Sequence, residues 1–240
     1  MKAFKTIYER AAARKGGEEK LLSLLPPVAG NAAAANLSDD RILSVISERV
    51  FAAGFVWRVI EEKWPDFEEA FLGFEPKRLL FQPDDFWHDL ASDRRIVRNP
   101  QKIKSVRENA AFVERVSKEH GGFGKFLADW PKDDQIGLMA FLGKNGSRLG
   151  GNTGQYVLRW LGWDSFILSH DMVLALRDAG LGIADTPTSK KDLAIIQARM
   201  NAWAEETGLP YVHLSRILSM SIGENYDLET LKARMGGGGE

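Results

Sequence analysis

A glycine pair between two helical segments constrains this chain more than any other feature. Gly150 and Gly151 stand directly before a stretch with helical spacing that closes on Gly162. Glycine accepts left-handed backbone angles and lets another chain approach closely. The unpaired N–H groups at the start of a helix attract anions. The sequence therefore predicts a helix–turn–helix, placed near residues 143–162, whose turn is suited to hold a phosphate.

Apolar residues with helical spacing dominate the rest of the chain, and alternating strand patterns are scarce. After Ser38, the expected N-cap, they recur at steps of three and four: Ile42, Ile46, Val50, Ala53, Trp57 and Ile60. Gly54 interrupts this run and is a candidate break. Trp64-Pro65 is expected to end it, with a short helix over 66–72 to follow.

Further helices are expected on both sides of this run, which makes the predicted fold class all-α. Their expected ranges are 4–14, 18–25, 76–81, 83–91, 100–119, 123–130, 133–143, 152–161, 170–179, 189–206 and 211–222. We see no internal repeat and no clear linker. We expect one unit over 1–235, with the terminal helices packed together, and a disordered tail at 236–240.

Charge and composition narrow the function classes. The formal net charge of the 240 residues is −1, so any nucleic-acid surface must be a local basic patch. The chain has no cysteine, which excludes disulfides and thiolate zinc sites. No apolar run is long enough for a membrane span, and the N-terminus lacks a signal-peptide core. We expect a cytoplasmic protein, monomeric, with no membrane partner.

Four blocks together resemble the DNA-3-methyladenine glycosylase I family, within the helix-hairpin-helix DNA glycosylase superfamily. They are residues 51–76, residues 94–113, the hairpin and helix of residues 148–162, and the shorter block 169–173. The first two are the more specific, because their glycines, prolines, charges and aromatics fall at the family's intervals. The resemblance implies a helix-hairpin-helix glycosylase-like fold and a double-stranded DNA partner that contains an alkylated base.

Such a family implies base-excision repair without a cofactor. The enzyme would flip an alkylated purine such as 3-methyladenine out of the duplex and hydrolyse its N-glycosidic bond. Three alternatives stay open: a DNA-binding protein on the same fold that has lost excision, a glycosylase for a different lesion, and an all-α interaction protein with no DNA role.

The resemblance also implies residues of the base pocket. Trp57 matches the family's pocket tryptophan, which would stack on the flipped base. The family's base-recognising glutamate falls where this chain has Arg49, and the nearest carboxylate is Glu48. Nine residues of ideal helix rotate about 180°, which would place Glu48 opposite Trp57. Either the helix breaks near Gly54 or Glu48 is a solvated surface charge. Arg49 in the pocket would repel a cationic base.

Two further site residues lie outside that block. Tyr8 resembles the family's N-terminal pocket tyrosine, although simple packing would also explain it. Asp171 falls where the superfamily places its catalytic aspartate, and Ser169 fits the same register. Either residue would also serve as a helix N-cap. The family's zinc clip of two cysteines and two histidines is absent, and we predict no metal site.

The expected DNA grip combines the glycine turn with a basic segment. Gly150, Gly151, Asn152 and Thr153 would offer amides and a hydroxyl to one phosphate. The DNA backbone would be contacted by Arg98, Lys102, Lys104 and Arg148. The first three lie in a basic stretch that would ordinarily be interpreted as a solvated face. The hairpin holds no lysine for a Schiff base, so a monofunctional glycosylase is predicted.

Overall fold

A computed structural model describes residues 2–227 and Thr230 of this chain. In that part of the chain every regular element is helical, which confirms the predicted all-α fold. The expected disordered tail at 236–240 lies outside the described residues. The helices are α1 Phe4–Lys15, α2 Glu18–Leu22, α3 Asp39–Ala52, α4 Trp57–Ala70, α5 Pro76–Leu80, α6 Asp84–Leu90, α7 Pro100–His120, α8 Phe123–Asp129, α9 Gln135–Asn145, α10 Asn152–Trp160, α11 His170–Asp178, α12 Lys190–Thr207 and α13 Tyr211–Met220.

Contacts divide the chain into two compact units, whereas the sequence suggested one. Unit 1 consists of the described residues up to Val28, residues 131–136, and those from Asp164 onward. Unit 2 consists of Ala29–Trp130 and Gly137–Trp163. Each unit has a separate apolar core.

Unit 1 brings the two ends of the chain together. Helix α1 packs on α13, and Phe4 lies 5.5 Å from Trp203 between ring centroids. Helix α13 also packs on α11 and α12. This pairing of sequence-distant helices gives the small terminal segments a shared core that neither segment could build alone.

Unit 2 is built around α3, which packs against α4, α7 and α10. Helix α7 is the longest helix of the unit, and its sequence defines both ends. The side chain of Asn99 accepts a hydrogen bond from the backbone of Lys102, Pro100 takes the first position, and Gly121 ends the helix in a left-handed conformation at φ 77°. Ile103 is one of the buried residues on the face of α7 that packs against the core of unit 2.

Helix α4 does not end at Pro65, as the sequence predicted. It runs through Pro65 to Ala70, so the short separate helix expected over 66–72 is wrong. Aromatic packing explains the continuity, because the ring of Trp64 stacks on Phe67 at 4.9 Å and on Phe74 at 5.3 Å. A proline inside a helix costs roughly 3 kcal/mol, and burial of large aromatic rings offsets a cost of that size.

Candidate functional site

The connection between α3 and α4 is the turn on which the candidate site depends. Helix α3 ends at Ala52, Ala53 leaves helical geometry, and Gly54 takes a left-handed φ of 76°. Trp57 then begins α4. The helix therefore breaks near Gly54, which was one of the two alternatives that the sequence left open. Glu48 and Trp57 lie on separate helices, so the 180° rotation expected for an uninterrupted helix does not apply to them.

Lys102 closes this connection from α7. Its ammonium donates to the backbone oxygens of Phe51 at 3.0 Å and of Ala53 at 2.6 Å. The last carbonyls of a helix lack partners within the helix, and a cation there is favourable. Lys102 thus fixes the end of α3 and the direction in which the chain leaves it.

The prediction that Lys102 contacts DNA phosphates therefore needs correction. Its side chain is buried, with 6% of the residue exposed, because its ammonium serves the carbonyls of Phe51 and Ala53. Burial lowers the pKa of Lys102, and the nearby positive charge of Arg148 lowers it further. The residue positions a loop inside unit 2 instead of presenting a charge to solvent.

Glu48 is not a solvated charge either. Its side chain is 16% exposed, and Arg49 donates a hydrogen bond to its Oε1. Burial raises the pKa of Glu48, against the lowering effect of Arg49, and the nearby carboxylates Glu61 and Glu68 of α4 raise it further. Glu48 therefore lies within electrostatic reach of α4, the helix that begins with the half-buried Trp57.

Arg49 occupies the position of the family's recognition glutamate, and the structure places it inside unit 2. The residue is 9% exposed, and its guanidinium carbon lies 4.5 Å from the ring centroid of Trp160. Trp160 is the last residue of α10, the helix that follows the glycine turn. One cation therefore joins α3, the carboxylate of Glu48 and the hairpin helix.

A second polar network holds α3 and α4 together beside Glu48. Glu68 accepts two hydrogen bonds from Arg41, each at 2.9 Å, and one from the hydroxyl of Ser44. Trp64 donates its indole N–H to the same hydroxyl at 3.1 Å. Because each of these groups finds a partner, the network fixes the spacing of the two helices near the candidate pocket.

The connection also exposes apolar side chains that the sequence analysis did not single out. Phe55 is 46% exposed and Val56 is 67% exposed. The ring of Phe55 lies over the Lys102 ammonium, 4.5 Å from ring centroid to Nζ. The sequence signal that could have identified them is a pair of apolar residues directly after Gly54, the candidate break.

The helix–turn–helix is present where the sequence predicted it, formed by α9 and α10. Gly151 takes φ 60° and ψ −137°, and it lies exposed with Gly150 and Asn152 at the start of α10. Leu149 is buried beneath the turn, and a Cβ on Gly154 would lie only 2.5 Å from the oxygen of Leu149. Glycine is thus needed at 154 for close packing and at 151 for conformation.

Helix α7 anchors the turn from below. The side-chain amide of Asn109 donates to the backbone oxygen of Ser147 at 3.0 Å and accepts from its N–H at 2.7 Å. The hydroxyl of Ser147 donates to Glu108, and Arg148 donates to the side chain of Gln101. The turn and the N-terminal half of α7 therefore form one surface.

The basic patch on this surface is smaller than the sequence count suggested. Lys104 forms an ion pair with Glu108 at 3.6 Å, and Arg107 forms one with Asp84 at 2.7 Å. Arg98 is exposed and forms no ion pair with any residue the structure describes. Of the four basic residues predicted to contact DNA, Arg98 and Arg148 are exposed and belong to none of the ion pairs found among the described residues.

Two predicted site residues belong to unit 1, and their catalytic roles stay predictions. The hydroxyl of Tyr8 donates to Glu18 at 2.7 Å, and this hydrogen bond raises the pKa of Tyr8 to about 12. Ser169 is the N-cap of α11, since its hydroxyl accepts from the backbone of Met172. Asp171 is half-buried, and its carboxylate lies against Gly223.

Neither a cluster of metal ligands nor a membrane-spanning helix occurs among the residues that the structure describes. In that part of the chain no three or more His, Asp or Glu side chains are grouped as metal ligands. None of the helices described has both the length and the apolar character needed to cross a membrane.

An open cleft of about 630 Å³ also lies in unit 2, but it is lined by none of the predicted site residues. Its walls carry acidic and basic side chains together, among them Asp39, Asp40, Lys77 and Glu114. We do not assign it to the candidate site.

Residues 33–139 match the model of a family described as methyladenine glycosylase. This match confirms the predicted resemblance, and it includes the blocks 51–76 and 94–113, whereas the hairpin lies beyond it. No curated protein matches the chain.

Solved structures add three similarities. A variant of 3-methyladenine DNA glycosylase I in complex with 3-methyladenine is 20% identical over 55% of this chain and 82% of that one, with a TM-score of 0.48. The Staphylococcus aureus 3-methyladenine DNA glycosylase I is 21% identical over 55% and 81%, at 0.47. A Methanocaldococcus jannaschii 8-oxoguanine glycosylase/lyase bound to DNA is 14% identical over 92% and 100%, at 0.49.

Proposed function

We propose that this chain, whose residues 33–139 match the methyladenine glycosylase family, is a DNA glycosylase that hydrolyses the N-glycosidic bond of a damaged purine. The contact between Arg49 and Trp160 carries the proposal. It packs the helix of Glu48 against α10, whose other end is the glycine turn. Groups suited to a base and groups suited to a phosphate therefore belong to the same unit.

The glycine turn would hold one phosphate of the damaged strand. Exposed amides of Gly150 and Gly151 and the start of α10 provide donors and a favourable dipole. Arg98 and Arg148 add positive charge on the same surface. These contacts position the duplex without reading its sequence.

The chemistry would take place on a flipped purine. Trp57 would stack on the base, and Glu48 would accept a hydrogen bond from it. As the glycosidic bond breaks, the bonding electrons leave with the base and the sugar gains oxocarbenium character, which a nearby carboxylate stabilises. Water then bonds to C1′ and gives up a proton, which passes to the departing base or, when the base was cationic, to solvent, and an abasic site remains.

The positions of the lysines favour hydrolysis over lyase chemistry. A Schiff base needs an amine free to attack the sugar. Lys102 engages its ammonium with two carbonyl oxygens, and no lysine stands within the glycine turn. This supports the monofunctional reaction that the sequence predicted.

The test is purine release from duplexes that each carry one damaged purine, with 3-methyladenine as the first lesion of the set. Glu48→Gln should lower the rate about 100-fold, because the carboxylate that would accept a hydrogen bond from the base is replaced by a neutral amide. Glu62→Gln makes the same charge change at an exposed position of α4 and should stay within about twofold of the wild type. Full activity in Glu48→Gln would remove Glu48 from the site.

The second candidate function is a DNA-binding protein without excision. The observation that favours it is Arg49 at the position of the family's recognition glutamate, paired with Glu48. It predicts salt-dependent binding to duplex DNA with no purine released from any lesion of the set.

A further inference from the structure

Arg148 has an unusual backbone for a residue that carries a side chain. Its φ is 62°, in the left-handed region that disfavours residues with a Cβ. Apart from Leu72 and Phe74, which flank Gly73, it is the only left-handed non-glycine residue in the part of the chain that the structure describes. Strained residues persist where their surroundings hold them, and they concentrate at functional sites. A position suited to glycine therefore carries a long cationic side chain, at a cost in stability.

The neighbours of Arg148 hold this backbone from both sides. Asn109 of α7 accepts from the N–H of Ser147 and donates to its carbonyl oxygen. On the other side Leu149 is buried, with 1% exposed, whereas Arg148 itself is exposed. Because both neighbours are fixed, the side chain of Arg148 leaves the turn at the surface, beside the N-terminal half of α7.

The partner of Arg148 on α7 is a neutral amide. Its Nη2 donates to Oε1 of Gln101, an exposed residue in the first turn of the helix. Other arginines of unit 2 form ion pairs with carboxylates, among them Arg41, Arg49, Arg78, Arg95 and Arg107. A neutral amide fixes a guanidinium by a hydrogen bond without cancelling its charge, whereas a carboxylate does both. Gln101 therefore orients Arg148 and leaves its charge available to an anion.

Both side chains keep donors for a ligand. The Nε2 group of Gln101 and the remaining N–H groups of Arg148 have no acceptor among the described residues. Arg148 also lies close enough to the buried Lys102 to lower its pKa, so two positive charges meet here, and neither belongs to an ion pair in that part of the chain. Cationic and neutral N–H donors side by side suit the oxygens of one phosphate group.

We propose that Gln101 and Arg148 form a second phosphate-binding site, separate from the amides of Gly150 and Gly151, for the neighbouring phosphate of the same DNA strand. The inference rests on the proposed function. Arg148 lies two residues before Gly150, at most about 7 Å away along the chain. Consecutive phosphates of one strand rise about 3.4 Å along the duplex axis. One strand can therefore engage the turn with one phosphate and the side-chain pair with the next.

Substitutions at Gln101 test whether a neutral partner matters. Gln101→Glu would turn the pair into an ion pair, so affinity for an undamaged duplex should fall about tenfold and its salt dependence by about one phosphate contact. A carboxylate in the first turn suits the helix dipole, so this variant should fold. Ala111→Glu adds the same charge at an exposed position about 15 Å farther along α7 and should stay within about twofold of the wild type. Equal losses in the two variants would overturn the proposal.

Substitutions at Arg148 separate binding from folding. Arg148→Gly relieves the left-handed strain, so it should unfold at the temperature of the wild type or above it, yet bind the duplex about tenfold more weakly. Arg148→Met keeps the strain and should lose about the same affinity, because the charge is gone in both variants. Unchanged affinity in these variants, whatever their stability, would show a structural role alone and would overturn the proposal.

Neutral phosphate analogues locate the contact. The duplexes each carry one tetrahydrofuran abasic site and one methylphosphonate linkage, which is moved step by step along the damaged strand. Wild-type binding should weaken at two adjacent linkages. In Arg148→Met one of these linkages should lose its effect, changing affinity by no more than about twofold, because its charge no longer has a partner. Full sensitivity at both linkages in Arg148→Met would overturn the proposal.

These binding measurements separate the inference from the proposed function. Purine release by the wild type, together with the losses of affinity above, supports both. Purine release with Gln101 and Arg148 variants that bind as tightly as the wild type overturns the second phosphate site and leaves the glycosylase intact. If no purine is released, the proposed function fails, and binding of the undamaged duplex still decides whether the pair holds a phosphate.

Discussion

Replacing Lys102 with methionine should loosen the α3–α4 connection on which the candidate pocket depends. Methionine fills nearly the same volume, but the backbone oxygens of Phe51 and Ala53 would lose their donor. An unsatisfied buried acceptor costs about 1–3 kcal/mol, and loss of a cation at a helix end costs about 0.3–1 kcal/mol more. Part of this cost is offset, because methionine removes the need to bury a charged ammonium, and that burial is what lowers the pKa of Lys102 in the wild type. We expect a net loss of about 2–4 kcal/mol in the free energy of unfolding.

The assay is urea unfolding followed by tryptophan fluorescence, with hydrogen exchange of the backbone amides in residues 53–57 measured in parallel. Lys104→Met is the matched control, because Lys104 lies on the same helix, is exposed, and forms only an (i, i+4) ion pair with Glu108. That control should change stability by no more than about 0.5 kcal/mol. Equal losses in the two variants, or unchanged exchange in residues 53–57, would refute the capping role of Lys102.

Three further results are expected. Gly154→Ala should cost about 1–3 kcal/mol, because its Cβ would meet the Leu149 oxygen, whereas Gly150→Ala enters open space and should be tolerated; equal stability of the two would contradict the packing of the turn. Purine release should fall as the pH is lowered, and because burial raises the pKa of Glu48 the fall should occur at a higher pH than for an ordinary glutamate with a pKa of about 4.3. The wild type should also gain stability relative to Glu48→Gln as the pH falls from that raised pKa toward about 4.3. Coincident profiles of the wild type and the variant would count against a buried Glu48. Arg98→Gln should reduce the salt dependence of duplex binding by about one phosphate contact, and an unchanged slope would place Arg98 away from DNA.

Local sequence signals were sufficient for most helix boundaries. Helix α7 illustrates this, since Asn99 and Pro100 define its start and Gly121 its end through short-range interactions alone. Pro65 illustrates the opposite case. The intrinsic cost of a proline predicted a helix end, but stacking of Trp64 on Phe67 and Phe74 holds the helix together. Contacts between residues far apart in sequence decided that outcome.

The candidate site was predictable in part. Spacing alone left two alternatives for Glu48 relative to Trp57, and only the break at Gly54 decided between them. The pairing of Glu48 with Arg49 and the stacking of Arg49 on Trp160 depend on how α3 and α10 pack, which no local pattern encodes.

Lys102 shows why a count of basic residues overestimates a binding surface. In the sequence it stands among arginines and lysines and has the character of a surface charge. In the fold its position on α7 faces the end of α3, and the unpaired carbonyls there draw the ammonium inward. A charge pattern alone carries no information about which side of a helix a neighbouring element covers.

The most direct measurement is incubation of the protein with duplexes that each carry one damaged purine, followed by mass spectrometry of the small-molecule fraction. We expect a free purine, released from a strand that stays intact until alkali cleaves the abasic site. If no purine is released from any lesion although the protein is folded and bound to the duplex, the proposed glycosylase activity is contradicted. Strand cleavage without alkali, with a borohydride-trapped protein–DNA adduct, would contradict the hydrolytic mechanism.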